Sequence, residues 1–414
     1  MSSESDAMGS VEKATPFLKI QLLSIAAGLS FMGSSMTTFA VVLRDKDVVG
    51  PTGVSIILLA MLVPNVLMAP FSGQIADRYE SRVVVPSALV AMSASTLSIA
   101  LVPSVWWAPI ALFMTATFGT MVGAASSATV GFLSRPEDMT RVTGIQQTYV
   151  AMGSLAGPAG GGILVGTTGY FWPFVIDSVS FLVLAATFIA LGLNRKPQLH
   201  ADGEKPRALD GFRFLIAEPV LRAIMIILLM VILSLGVINV GEVFLVVDEL
   251  GATPIIYGFI GALFAGGSLT GAILLQVVKV PEDRQAAGLL ISILIMVVAL
   301  TGLSQAPSWQ FAAVVYFLAG FGNSGVNIFA VGQIQRRAKE SVRGRIMAAV
   351  QGSVNAGSMA SLGFGGILIG IFGVREVFLA GGILALLALA TFGPQLLRAS
   401  RGVKEKSAPE GGSN

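Results

Sequence analysis

Apolar runs of about 20 residues, each long enough to cross the hydrocarbon core of a bilayer, recur along this whole chain. Twelve are readable, at 17–43, 52–74, 83–102, 106–132, 143–166, 170–193, 221–247, 254–278, 285–304, 308–333, 344–370 and 374–396. A soluble fold cannot absorb that pattern. Of the 414 residues 54% are hydrophobic and only 12% charged, where a soluble domain carries about a quarter charged. What remains is an all-α membrane protein, because a helix satisfies its own backbone hydrogen bonds in lipid. The expected organisation is a tail at 1–16, a six-helix bundle at 17–193, a linker at 194–220, a second six-helix bundle at 221–396 and a tail at 397–414.

Charge placement orients the bundle. With the N-terminus in the cytoplasm, only Arg44, Lys46 and Arg375 of the 26 Lys and Arg residues fall on the outer side, the asymmetry expected of cytoplasmic loops. Both termini are therefore expected inside. Glu4, Asp6 and Glu12 precede the first span where a cleavable signal would be basic, so the first helix is expected to be retained. The net charge of +3 reflects orientation and not a nucleic-acid partner. There is no cysteine and a single histidine, His200, in the polar linker. Disulfides, thiolate nucleophiles and Cys- or His-based metal sites are excluded on that ground, and no cofactor is expected. The spans hold no nucleophile with a base in reach, which argues against an enzyme.

The two halves repeat. Gly161-Gly162-Ile163-Leu164-Val165-Gly166 matches Gly365-Gly366-Ile367-Leu368-Ile369-Gly370 at an offset of 204, and Arg141 with Arg345, Gly153 with Gly357 and Gly169 with Gly373 share that offset. The fold is thus six helices, a polar linker and six more in the same orientation, pseudo-symmetric about an axis along the membrane normal. A parallel repeat of this kind brings a ligand path to the midplane between its halves.

Between spans 2 and 3, on the inner side, the chain reads Gly73-Gln74-Ile75-Ala76-Asp77-Arg78-Tyr79-Glu80-Ser81-Arg82. This resembles the GxxxDRxxxR signature of the major facilitator superfamily, in that superfamily's own location. The resemblance implies a cytoplasmic latch made of Gly73, Asp77, Arg78 and Arg82, with a close helix approach at Gly73. Glu340, Arg343 and Arg345, at the inner ends of spans 10 and 11, mirror Glu137 and Arg141 of the first half and are its expected partners across the boundary between halves, with Arg141 counted among the gating residues. Span 5 carries Gly153-Ser154-Leu155-Ala156-Gly157-Pro158-Ala159-Gly160-Gly161-Gly162. It resembles the GxxxGPxxGG element of superfamily antiporters, mostly drug exporters. Glycines four apart let helices approach, and Pro158 is expected to kink the span. The second half has Leu362 where Pro158 aligns.

Pro136-Glu137 with Arg141, that glycine element, and Asp177-Ser178-Val179-Ser180-Phe181 look like the enterobactin-exporter and macrolide-efflux branch. That branch implies a monomeric, proton-coupled exporter of small amphipathic or hydrophobic compounds from a bacterial plasma membrane. Span 4 lacks the basic residue that many proton-driven drug exporters carry there. A facilitator or importer of one solute, or a transporter-like sensor without flux, is the alternative that the fold permits. With no GxxxxGK[ST] loop in the chain, uphill transport would draw on an ion gradient.

Acids inside spans are costly in lipid and point to function. There are two, Asp177 in span 6 and Glu242 in span 7. The superfamily resemblance puts span 7 at the central cavity and span 6 at the periphery. Glu242 is therefore the expected proton- or cation-binding carboxylate, with Asn239 on the same helical face. Asp177 is expected to serve as a structural hydrogen-bond acceptor, with a proton or substrate role as the alternative. Asn323 and Asn327 share a face of span 10 and are candidates for hydrogen bonds to substrate or to another helix. Phe31, Phe39, Phe244 and Phe329 are candidates for an apolar substrate wall. Asp45, Asp248 and Glu249 read as outer-loop acids.

Overall fold

The computed structural model describes residues 15–102, 104–195, 216, 218–278, 280–281, 284–337 and 343–407. Most of the 194–220 linker, nearly all of the first tail, and Glu340 fall outside them. The helices are α1 (Phe17–Leu67), α2 (Ala69–Arg78), α3 (Ser81–Leu101), α4 (Trp107–Leu133), α5 (Met139–Thr168), α6 (Phe171–Ala190), α7 (Pro219–Leu235), α8 (Ile238–Val243), α9 (Pro254–Val277), α10 (Gln285–Ser304), α11 (Trp309–Arg337), α12 (Arg343–Phe372) and α13 (Val374–Ser407). A π-helical turn, Phe244–Glu249, follows α8.

Eleven helical stretches among the described residues are long and apolar enough to cross a membrane. The first, α1, has 51 residues, about 75 Å of helix against a hydrocarbon core of about 30 Å. It holds two crossings. At Gly50 the backbone turns to φ 63°, ψ −172°, which a glycine adopts without steric penalty, and Pro51 restarts the helix. Counted so, there are twelve crossings, as the apolar runs predict. Two predicted spans are interrupted where hydropathy gives no sign. Span 2 breaks at Met68, between α1 and α2, and span 7 breaks at Gly236, between α7 and α8. The last helix runs past the predicted end of span 12 to Ser407.

In the first half α1 packs on α4, α5 and α6, and α3 on α4 and α6. In the second, α9 packs on α11, α10 on α11 and α13, and α7 on α12 and α13. The halves meet along two seams, α5 with α9 and the second leg of α1 with α12. The internal repeat exchanges these seams. The paired glycines Gly169 and Gly373 close α5 and α12 alike, with φ of 84° and 94°, the left-handed helix end that glycine favours.

The apolar core shows how the halves are joined. One cluster runs through both halves at the end away from the termini, from Val42 and Val165 to Val240, Tyr257 and Ile369. At the end bearing the termini there are two clusters, one per half, around Val85, Phe181 and Phe188 and around Ile224, Ile293 and Ile334. Among the described residues no core cluster bridges the halves there. The described residues of the two halves thus share an apolar core only at the end away from the termini.

Candidate functional site

The span-5 glycine element turns two stripes toward two different helices. A Cβ at Gly153 would lie 2.6 Å from the Gly28 carbonyl oxygen, one at Gly157 3.0 Å from the Met32 carbonyl oxygen, and one at Gly161 3.3 Å from Met36 Cα. That stripe seats α5 on α1. Pro158 and Gly162 face α9 instead: a Cβ at Gly162 would lie 2.6 Å from the Pro254 carbonyl oxygen, and one at Gly258 would collide with the Pro158 carbonyl. α5 runs without interruption from Met139 to Thr168, and Pro158, expected to kink it, packs in the seam. Gly366 occupies the equivalent place in the other seam, against Pro51 and Ser55.

Between the seams lies a cavity of about 270 Å³, lined by Ser35, Thr38 and Phe39 of α1, Pro158 of α5, Asn239 and Glu242 of α8, and Tyr257 of α9. The Tyr257 hydroxyl donates to Glu242 Oε1 at 2.9 Å. The Tyr257 ring stacks on Phe39, with centroids 4.7 Å apart. The buried Tyr316 hydroxyl also stands beside Glu242. No Lys, Arg or His lines the cavity among the described residues. Chemically this is an apolar, aromatic chamber with one carboxylate, able to hold a proton or a positive charge.

Of the polar candidates read from sequence, Glu242 and Asn239 share this cavity, while Asp177, Asn323 and Asn327 do not. Asp177 is 1% exposed and accepts hydrogen bonds from Thr37 at 2.7 Å and Ser34 at 3.2 Å, on the far side of α1. Asn327 donates to the Asn323 carbonyl at 2.9 Å within one helix. The aromatic wall is corrected to a single member. Phe39 lines the cavity, whereas Phe329 is buried in the second-half core, Phe244 packs against the shared core and Phe31 is exposed outside it.

Of the acids expected in outer loops, Asp248 and Glu249 are exposed and Asp45 is corrected. Asp45 is fully buried and paired with Arg44, Nε to Oδ1 at 2.7 Å, while Arg44 lies over the Phe174 ring. Lys46, also buried, pairs with Asp47 at 2.5 Å and with Asp248 of the other half. Arg375 pairs with Glu249. Each of the three outer cations thus carries an acid.

At the terminal end, Asp77 accepts from Arg195 Nη2 at 3.2 Å. Arg195 is in turn seated by its backbone N–H on Ser81 Oγ, at 2.7 Å. Arg82 pairs with Glu80, and Arg78 is exposed. Arg141 stands over the Phe17 ring at 4.3 Å, so the expected grouping of Arg141 with Asp77 is not made. The segment packs on α1, α3 and α4 of its own half. Nothing lies within 4 Å of where a Gly73 Cβ would be, so the expected close approach is also not made. The side chains of Arg343 and Arg345 lie outside the described residues. Sequence reasoning missed Arg195, Lys46, Tyr257 and Tyr316. A tyrosine inside an apolar span was the available signal, since its hydroxyl needs a partner when buried.

Two helical halves, hinged around a cavity with one acid, define a multi-pass membrane transporter. The chain belongs to the major facilitator superfamily, whose family model matches residues 23–278 and 224–413. It is similar to the uncharacterized MFS-type transporter YfiS of Bacillus subtilis (strain 168), 21% identical over 351 residues, 81% of this chain and 83% of the relative. It is also similar to the class G tetracycline resistance protein of Vibrio anguillarum, 26% identical over 213 residues, about half of each chain (50% and 52%). Among solved structures, the nucleoside transporter NupG matches with a TM-score of 0.71 at 13% identity, covering 91% of this chain and 98% of its own. A bacterial homolog of the human lysosomal transporter Spinster, inward-facing and unoccupied, matches at 0.68 and 14% identity over 96% and 100%. Both show the shared fold. The substrate is a small molecule, as the superfamily implies.

Proposed function

We propose that this chain exports small amphipathic or hydrophobic compounds across the plasma membrane in exchange for protons, by alternating access between halves 17–193 and 221–396, with both termini in the cytoplasm. The observation that carries the reading is Glu242, one carboxylate in an aromatic chamber between halves that share an apolar core only at the end away from the termini. The apolar lining suits amphipathic compounds, and the partial similarity to a tetracycline resistance protein agrees. The cavity is complete within one chain, which supports a monomer. We read the Gly73–Arg82 latch as disengaged in this conformation: Asp77 is held by Arg195, and among the described residues none flanks Gly73. Closure of the cytoplasmic end brings a second-half helix against Gly73 and offers Asp77 the cations at the start of α12.

The test is a proton-flux assay in everted vesicles with an inside-acid gradient and a panel of tetracyclines, macrolides, phenicols, cationic dyes and siderophores. Compound-dependent proton release that Asp77→Asn suppresses supports export. No release with any compound, from protein shown to be inserted and folded, overturns it and turns attention to uptake of a single solute.

Lys46 and Asp248 join the halves at the outer end, and the reading makes them a lock on the closed outer gate. Asp248→Asn is expected to weaken closure by on the order of 1 kcal/mol, since Asp248 is partly solvated and Asp47 remains beside Lys46. The chain lacks cysteine, so Ser55→Cys in the outer seam reports the change. Its labelling by an impermeant maleimide should rise about fivefold and fall back in the charge-swapped pair Lys46→Asp with Asp248→Lys.

A further inference from the structure

Asp177 is a buried acid that the export reading does not use. Its surroundings differ from those of a simple helix tie. Along α1 the run Ser34-Ser35-Met36-Thr37-Thr38 sets hydroxyls on two faces, because residues three apart share a face and neighbours do not. Ser34 and Thr37 face α6 and donate to the two carboxylate oxygens of Asp177, at 3.2 and 2.7 Å. Ser35 and Thr38 face the cavity. One residue further, Phe39 stacks on Tyr257, which holds Glu242. The two acids therefore lie on opposite sides of one helix and are linked through it.

The cage holds no cation. Around Asp177 stand Gly33, Ser34 and Thr37 of α1 and, on its own helix, Ser180, whose hydroxyl donates to the Asp177 carbonyl oxygen at 2.7 Å. From α3, Ser93 is bonded to Ser178 instead, at 2.7 Å. Among the described residues, no charged or titratable side chain of α1, α3 or α5 reaches the Asp177 carboxylate. Arginine, lysine and amide donors can only give a hydrogen bond, so they commit an acid to its charged form. A hydroxyl both donates and accepts. Ser34 and Thr37 satisfy the carboxylate by donating. They satisfy the protonated acid by accepting from it, with the freed hydroxyl turning back to a carbonyl of its own helix. Ser35 and Thr38 already make that bond, to Phe31 and Ser34 at 2.9 Å. The helices are close here: a Cβ at Gly33 would lie 2.8 Å from Asp177 Oδ1 and 2.9 Å from its Cα. A change of bonding at Asp177 therefore acts directly on α1.

We propose that Asp177 is a second proton site, apart from Glu242, whose loading and unloading shifts α1 and so resets the cavity face that Ser35, Thr38 and Phe39 present. It is a positioning residue: the proton adds to and leaves a carboxylate oxygen, and the effect reaches the cavity through α1.

The test needs no substrate. A single cysteine at Phe31→Cys, exposed on α1 in an otherwise cysteine-free chain, carries an environment-sensitive fluorophore on the full-length protein in nanodiscs. Emission is followed against pH. A pH-dependent change is expected in the parent, lost in Asp177→Asn and kept in Glu242→Gln. Thr37→Val, which removes the nearer donor and leaves the acid in place, should move the midpoint by about one pH unit. An unchanged response in Asp177→Asn makes Asp177 a fixed tie and overturns the proposal. So does a flat parent response, or one that Glu242→Gln abolishes. If Asp177→Asn does not fold, an unmoved midpoint in Thr37→Val overturns it equally. Because no flux is read, this result stands or falls separately from the export reading.

Discussion

Glu242→Gln is expected to abolish compound-driven proton release while leaving the protein folded. Glutamine keeps the shape of the side chain and an oxygen for the Tyr257 hydroxyl, which now bonds Glu242 at 2.9 Å. The stacked Phe39 and Tyr257 rings stay in place. What disappears is the negative charge and the proton it can take. A cationic probe such as ethidium loses its buried counter-charge, a loss of about 2–5 kcal/mol, so its Kd should rise about 30-fold or more. A neutral probe such as chloramphenicol should bind within about threefold of wild type, since apolar contact is unaltered. Fluorescence titration of purified protein separates the two. Equal weakening of both probes would mean that the cavity had been distorted. Undiminished proton release in Glu242→Gln would remove Glu242 from the coupling step altogether.

Much of this architecture is legible in the sequence, for a definite reason. Lipid forces each crossing to be a long apolar helix, so the twelve runs, the repeat and the acids inside spans stand out. Glu242 is visible as an anomaly in span 7 without any knowledge of its neighbours. Its partners are not, because Tyr257 and Tyr316 belong to other helices and hydropathy reads them as part of the apolar run. The glycines of span 5 are equally visible, yet which stripe meets α1 and which meets α9 depends on packing. The breaks at Met68 and Gly236 vanish in any average over a span, whereas the one at Gly50 falls in the gap between two apolar runs. Arg44, Lys46 and Arg375 were marked as the exceptions to the charge asymmetry. Arg44 finds its acid next door in Asp45, but Lys46 and Arg375 reach Asp248 and Glu249 across long sequence separations. Arg195 counts as one more inner cation in sequence, and only the seating of the chain after α6 on Ser81 makes it the partner of Asp77.

A leucine in place of Gly258 should change the balance of conformations more than any other single substitution in the outer seams. A Cβ there would collide with the Pro158 carbonyl and lie 2.9 Å from Gly162 Cα. Those neighbours are backbone atoms of a continuous helix, so they cannot swing aside as a side chain would. Overpacking of this kind costs about 1–3 kcal/mol. In most cores that cost lowers stability evenly. On the alternating-access reading it falls on one conformer, because that reading opens the α5–α9 seam when the terminal end closes. The population should move about 5- to 150-fold toward the opposite state. Spin labels at Val48→Cys and Ser308→Cys, one in each half at the loop end, should move apart in electron–electron distance measurements. A pair at Met139→Cys and Arg336→Cys should move together as the flank of Gly73 is covered. Gly366→Leu strikes the equivalent seam against Pro51 and Ser55, and the repeat requires the same response from it. If both variants lower the melting temperature but leave the two distances unchanged, the seams are static contacts and the halves do not rock about them.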